Sequence, residues 1–114
     1  MSNQLGTTFA ALADPTRFRV VEALRGRQLS AGDLAAKCSA SGPAMSRHLR
    51  VLRRTGLVEV VQAQDEEQDA RLRMYRLRRE RFVSLKDWAD HMQTFWNGQL
   101  NAFKSYAERK GQRK

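Results

Sequence analysis

Arginine and serine recur along one side of the stretch Ser41–Gly56, SGPAMSRHLRVLRRTG, and together they can do one kind of chemistry. At about 100° per residue, Pro43, Ser46, Arg47, Arg50 and Arg54 converge on one face of a helix, and Met45, Leu49 and Leu52 converge on the other. The segment holds no Asp or Glu. A guanidinium is a planar fork of N–H donors that matches phosphate oxygens and the O6/N7 edge of guanine. A helix carrying that face suits the phosphate-lined major groove of duplex DNA. It would equally serve as a solvated surface on a basic protein, so the surrounding elements carry weight.

Those elements can be read in order. Ser41 is a good N-cap, Pro43 sits near the helix start where its missing N–H costs nothing, and Gly56 is a natural stop. Upstream, Leu5–Leu12 reads as a short helix. Asp14-Pro15 then opens a second helix, Pro15–Arg25, with Phe18, Val21 and Leu24 on one side, Val20 beside them, and Arg17 and Arg19 facing elsewhere; Gly26 ends it. Ser30-x-x-Asp33 is a capping-box variant that opens a short helix through Leu34, Ala35 and Ala36, and Lys37–Ala40 forms a turn. Two short helices in tandem, the second basic on its outer face, make a helix-turn-helix in which Leu34 is expected to pack on Leu49.

After Gly56 the period changes. Leu57–Gln64 and Arg71–Leu77 read as two strands, with Asp65, Glu66, Glu67, Gln68 and Asp69 between them at the tip of a hairpin. Such a hairpin is the wing of a winged helix. From Ser84 to Arg109 runs the longest helix, roughly 39 Å at about 1.5 Å per residue. Leu85, Trp88, Met92, Phe95, Trp96, Leu100, Phe103 and Ala107 form one stripe along it. A small core cannot cover so long an aromatic stripe, and pairing with the same helix of a second copy would bury it. The fold class expected is mainly α with a small β-hairpin. One winged-helix domain spans residues 1–109, its last helix (about 84–109) dimerises, and a basic tail occupies 110–114.

Composition narrows the function. The chain has 114 residues, 21 Lys and Arg against 12 Asp and Glu, and a formal charge of +9. That excess favours an anionic partner, nucleic acid first and an acidic membrane surface second. The single cysteine, Cys38, cannot form an intramolecular disulfide, which suits a reducing compartment. The start, MSNQLGTTF, lacks a signal-peptide pattern, and no apolar run approaches the roughly 20 residues of a membrane span. A cytoplasmic protein without membrane contact is expected. No Gly-rich phosphate loop or defensible Ser/His/acid set is present, and Cys38 has no evident base partner, so no enzyme is expected.

Ala11-Leu12-Ala13-Asp14-Pro15-Thr16-Arg17, then Leu29-Ser30 with Asp33-Leu34-Ala35, Ser41 with Ser46-Arg47-His48-Leu49 and Val51-Leu52, Gly56-Leu57-Val58, and Tyr75-Arg76-Leu77 stand in an order and spacing that resembles the ArsR-type winged-helix repressors. The likeness runs from about residue 7 to about residue 100. It implies a homodimer paired through the first and last helices, with Leu5, Phe9, Trp88, Met92, Phe95, Trp96, Leu100 and Phe103 at the interface. It implies a recognition helix in the major groove with Ser46, Arg47 and Arg50 at the bases, Gly42 and Pro43 leading, Arg54 alongside, and Ser41 and Thr16 reaching phosphates. The wing would lie against the backbone or minor groove.

Two features depart from that family. Its metal-sensing members need ligand sets that are missing: Cys38 has no second cysteine, and Asp87, Asp90 and His91 have no partner histidine beyond His48. No metal or other cofactor is therefore expected. The wing tip is acidic rather than basic or Gly-rich, so it is expected to point away from DNA, leaving Arg71 and Arg73 at its base to make the contact. Within the run Arg71, Arg73, Arg76, Arg78, Arg79 and Arg81, half strand and half linker, a phosphate-facing collar is the favoured reading. His48, between the two helix faces, reads as structural, and Cys38 as a core residue. The expected function is a homodimeric repressor of an inverted-repeat operator, with a small apolar effector among the last-helix aromatics or none. The competing reading is a winged-helix protein-interaction module whose basic charge is incidental.

Overall fold

The structure, a computed structural model, describes residues 4–61 and 73–111. Its elements run α1 (Gln4–Leu12), α2 (Pro15–Ala23), β1 (Leu29–Ser30), α3 (Ala31–Lys37), α4 (Gly42–Arg54), β2 (Val58–Val61), β3 (Met74–Leu77) and α5 (Arg79–Gly111). The chain divides into two compact units, Met1–Phe82 and Val83–Lys114. The architecture is mainly helical with a small antiparallel sheet, as the sequence implies. The wing acids Asp65, Glu66, Glu67 and Asp69, together with Arg71, lie outside the described residues.

Polar caps set the helix boundaries. Asp14 Oδ1 accepts from the backbone N–H groups of Thr16 (2.9 Å) and Arg17 (3.0 Å), which opens α2. Arg17 corrects the sequence reading. It does not face away but turns back, and its Nε donates to the Ala11 carbonyl at 2.7 Å. The last carbonyls of α1 lack helical partners, and this guanidinium supplies one. Phe18 is a second correction: it is 51% exposed, whereas Val20, Val21 and Leu24 are buried. The buried arc of α2 is centred between the adjacent valines, and Phe18 lies past its edge. The helix ends at Ala23 with Leu24 as cap, two residues before Arg25.

The turn between α3 and α4 has a specific construction. Ser30 Oγ accepts from the Asp33 N–H at 3.1 Å, capping α3 at its start. At its end the Ala40 N–H donates to Ala35 (2.9 Å) and the Ser39 N–H to Ala36 (3.3 Å). This is the Schellman pairing, and it requires a left-handed residue, here Ser39 at φ 52°. The two-residue strand β1, too short to show any periodicity, was not foreseen. Ser30 both ends that strand and caps α3.

The sheet order is β1-β3-β2, all antiparallel. Val60 faces Tyr75 and Val58 faces Leu77 on the side turned to the helices, while Glu59 faces Arg76 on the other side. Leu34 and Leu49 fill the core as expected, with Val20, Leu24, Met45, Leu52, Leu57, Val58 and the half-buried Phe82. The last helix begins at Arg79, five residues ahead of the Ser84 start expected, because the basic run read as linker is itself helical from there. None of its side chains is buried, and Trp96 (55%) and Phe103 (71%) are widely exposed.

A serine in the left-handed region costs about 1–2 kcal/mol relative to a residue without Cβ. Ser39→Gly is therefore expected to raise stability by about 1 kcal/mol, after the greater chain entropy of glycine is offset. Urea unfolding with an unchanged m-value checks it.

Candidate nucleic-acid interface

The candidate site is built on α4, whose two faces are separated by burial. Met45, Leu49 and Leu52 are buried against α2, α3 and the sheet. Gly42, Pro43, Ser46, Arg47, Arg50, Arg53 and Arg54 are exposed. Ser41 Oγ accepts from the Ala44 N–H at 3.2 Å, so the hydroxyl caps the helix and keeps its own proton for a further acceptor. The first turn carries no acid and the last carries Arg53 and Arg54, which suits the helix dipole at that end. Among the described residues no carboxylate pairs with Arg47, Arg50, Arg53 or Arg54. Arg53 stands beside Arg54 in the last turn of α4 and is exposed like it.

The start of α2 lies beside this helix. His48 Nδ1 is 3.9 Å from Asp14 Oδ1, and both side chains are largely covered. Thr16, two residues on, is half-buried in the first turn of α2. The Asp14 carboxyl is held below its ordinary range, first by the Arg17 backbone N–H and then by the Arg17 and His48 charges, against an opposing effect of burial. His48 is half-buried and lies near the cap of α2, at a separation beyond hydrogen-bond reach.

The arginine collar is only partly assembled. Arg76 Nε binds Glu59 Oε1 at 2.7 Å, and Arg78 lies 3.8 Å from the other oxygen of Glu59 and 3.7 Å from Glu80. Arg81 donates to a backbone carbonyl, Thr55 O, at 3.2 Å. These three thus have protein partners, although the Arg76 and Arg78 side chains stay about half-exposed. Glu59 stands directly opposite Arg76 in the register, a pairing visible only once the strands are aligned. Arg73, just before β3, is exposed, while Arg71 is outside the described residues.

Other candidate chemistry is engaged locally. His91 Nδ1 lies 2.8 Å from the Asp87 carbonyl of its own helix, and Asp90 pairs with Lys86 at 2.8 Å. Among the described residues no three His, Cys, Asp or Glu side chains gather where they could hold a metal ion. Cys38 is buried in the core, and burial pushes its thiol pKa up. No helix among the described residues is long and apolar enough to cross a membrane.

This fold with a capped, arginine-faced second helix defines a class, the winged helix-turn-helix regulators. A helix-turn-helix domain model matches residues 12–61. A solved ArsR-like transcriptional regulator from Rhodococcus sp. RHA1 is 30% identical with a TM-score of 0.72, covering 91% of this chain and 92% of its own. The transcriptional repressor SdpR of Bacillus subtilis is 33% identical over 54 residues, 47% of this chain and 60% of its own. A transcriptional repressor SmtB homolog of Synechocystis is 43% identical over 58 residues, 51% of this chain and 44% of its own. The chain thus spans less than two thirds of these two curated relatives. It belongs to the ArsR family of transcriptional regulators, a family of non-enzymes.

Replacing an Asp N-cap by Ala typically costs about 0.5–2 kcal/mol. Asp14→Ala is expected to fall in that range at neutral pH. A carboxyl whose folded pKa is depressed stabilises above its unfolded value and loses that contribution as pH falls through the folded value. The gap between wild type and Asp14→Ala should therefore be full near pH 7 and shrink below about pH 4. Thermal unfolding across that range checks it.

Proposed function

We propose that this chain is a sequence-specific, DNA-binding transcriptional repressor that acts in the cytoplasm as a homodimer on an inverted-repeat operator. The observation that carries this reading is the basic face of α4. Arg47, Arg50, Arg53 and Arg54 are exposed without a carboxylate partner among the described residues, on a helix whose opposite face is locked in the core. Free guanidinium groups on a fixed scaffold are suited to guanine edges and phosphates. Ser46, Arg47 and Arg50 read bases, and Gly42 and Pro43 let the leading end approach closely. Ser41, Thr16, Arg54, Arg73 and Arg71 contact the backbone.

The exposed faces of Trp88, Phe95, Trp96, Leu100 and Phe103 on α5, with Met92 and with Leu5 and Phe9 of α1, supply the dimer contact. Two recognition helices then enter successive major grooves about 10–10.5 base pairs apart. Repression follows from occlusion of promoter DNA. The curated repressors to which the chain is similar support this sign of regulation.

Duplexes selected from a random pool, or the DNA flanking the gene, test the reading in a salt-dependent gel shift. Specific binding is expected, with a slope of about −0.9 log units per log salt for each phosphate neutralised. Arg47→Ala and Arg50→Ala should each cost about 1–3 kcal/mol on the selected site and much less on random duplex. No shift at low salt would favour a protein-interaction module instead. A monomer at micromolar concentration in sedimentation would remove the dimer.

A further inference from the structure

The C-terminal end of α4 is fastened in a way that the DNA-reading role does not require for charge. The Gly56 N–H donates to Arg53 (3.0 Å) and the Leu57 N–H to Leu52 (2.9 Å), which closes the last turn. The Thr55 carbonyl is left over, and Arg81 Nε takes it at 3.2 Å. On the other side of Gly56, the Arg78 N–H donates to the Leu57 carbonyl at 2.9 Å. Residues 78 and 81 thus grip the chain on both sides of Gly56, which sits at φ 79°. A Cβ on Gly56 would lie 3.1 Å from Arg81 Nε and 3.6 Å from its Cγ. The arginine side chain therefore lies flat over the glycine and half-buried, rather than extended into solvent.

We infer that Arg81 is a positioning residue for the recognition helix, fixing the tilt of α4 through the Thr55 carbonyl, and is not a phosphate ligand. The inference rests on the reading of α4 given under Proposed function. Of the arginines at residues 73–81, Arg76 and Arg78 meet carboxylates and Arg81 meets a helix end. A cation at that end also complements the helix dipole. The lever is long: α4 has 13 residues, about 20 Å at about 1.5 Å per residue. A tilt of about 5° at Thr55 moves Arg50 by about 0.7 Å and Ser46 by about 1.2 Å, more than the few tenths of an ångström that hydrogen bonds tolerate. Flexible phosphate contacts survive such a shift, whereas base contacts do not.

The test uses the full chain with Arg81→Met and Arg81→Lys, each measured on the selected duplex and on random duplex over a salt series. Both variants are expected to lose at least tenfold on the selected duplex, with random-duplex affinity and the salt slope unchanged. Amide exchange in the free protein should quicken at residues 55–57 in both, while the cores of α2 and α3 keep their protection. An equal loss on both DNAs, a slope smaller by about 0.9 in Arg81→Met, and recovery in Arg81→Lys would make Arg81 a phosphate ligand and overturn the inference. Unchanged exchange at residues 55–57 would overturn it too. If wild-type protein binds no duplex specifically, the proposed function falls, and the exchange measurement alone decides whether Arg81 holds the helix end.

Discussion

One helix has to serve two solvents at once, and the rest of the first unit is arranged around that demand. Met45, Leu49 and Leu52 drive α4 into the core, while arginines on its far side need water or an anion. Burying three large apolar side chains stabilises by roughly 1.5–3 kcal/mol each. That is enough to hold α4 in rotation, because turning it would drown guanidinium groups and strand leucines in water. Rotation is therefore set by apolar burial. Tilt and endpoint are not, since hydrophobic contact is non-directional. Those need directional contacts, of which the Arg81 bond to the Thr55 carbonyl is one.

The same logic runs upstream. Asp14 caps α2, meets Arg17 and faces His48, while Arg17 reaches back to the end of α1. One long basic side chain thus ties α2 to the end of α1, and the acid that caps α2 faces α4. The resemblance motif Asp14-Pro15-Thr16-Arg17 acquires a physical meaning here. Asp and Pro start one helix, and Arg finishes the one before it.

Periodic and punctuated features were legible in the sequence. Ser41 and Gly56 bounded α4 because cap chemistry is local, and its two faces followed from helical spacing. The hairpin strands showed in the valines and in Tyr75 and Leu77. What stayed hidden depended on partners distant along the chain. The Glu59–Arg76 pair needs the strand register, the Arg81–Thr55 bond spans 26 residues, and β1 is defined only by β3 beside it. The fate of the arginine run was unreadable for the same reason. Composition shows that six cations lie close in sequence but not which carbonyl or carboxylate each one meets. The exposure of Phe18 was missed because spacing of three favours it, while the neighbouring valines shift the buried arc.

The lone thiol in the helix-turn-helix has an environment with its own consequence. Cys38 caps α3 from inside the core, and loss of hydration raises its pKa, only partly opposed by the charge of Arg19. Nucleophilic attack on peroxide or a disulfide requires the anionic sulfur, and a covered, protonated one supplies little of it. Burial thereby shields this cysteine from oxidants that would modify an open thiol. Alkylating agents should meet the same shelter, so that labelling at this position reports the opening of the fold and not its surface.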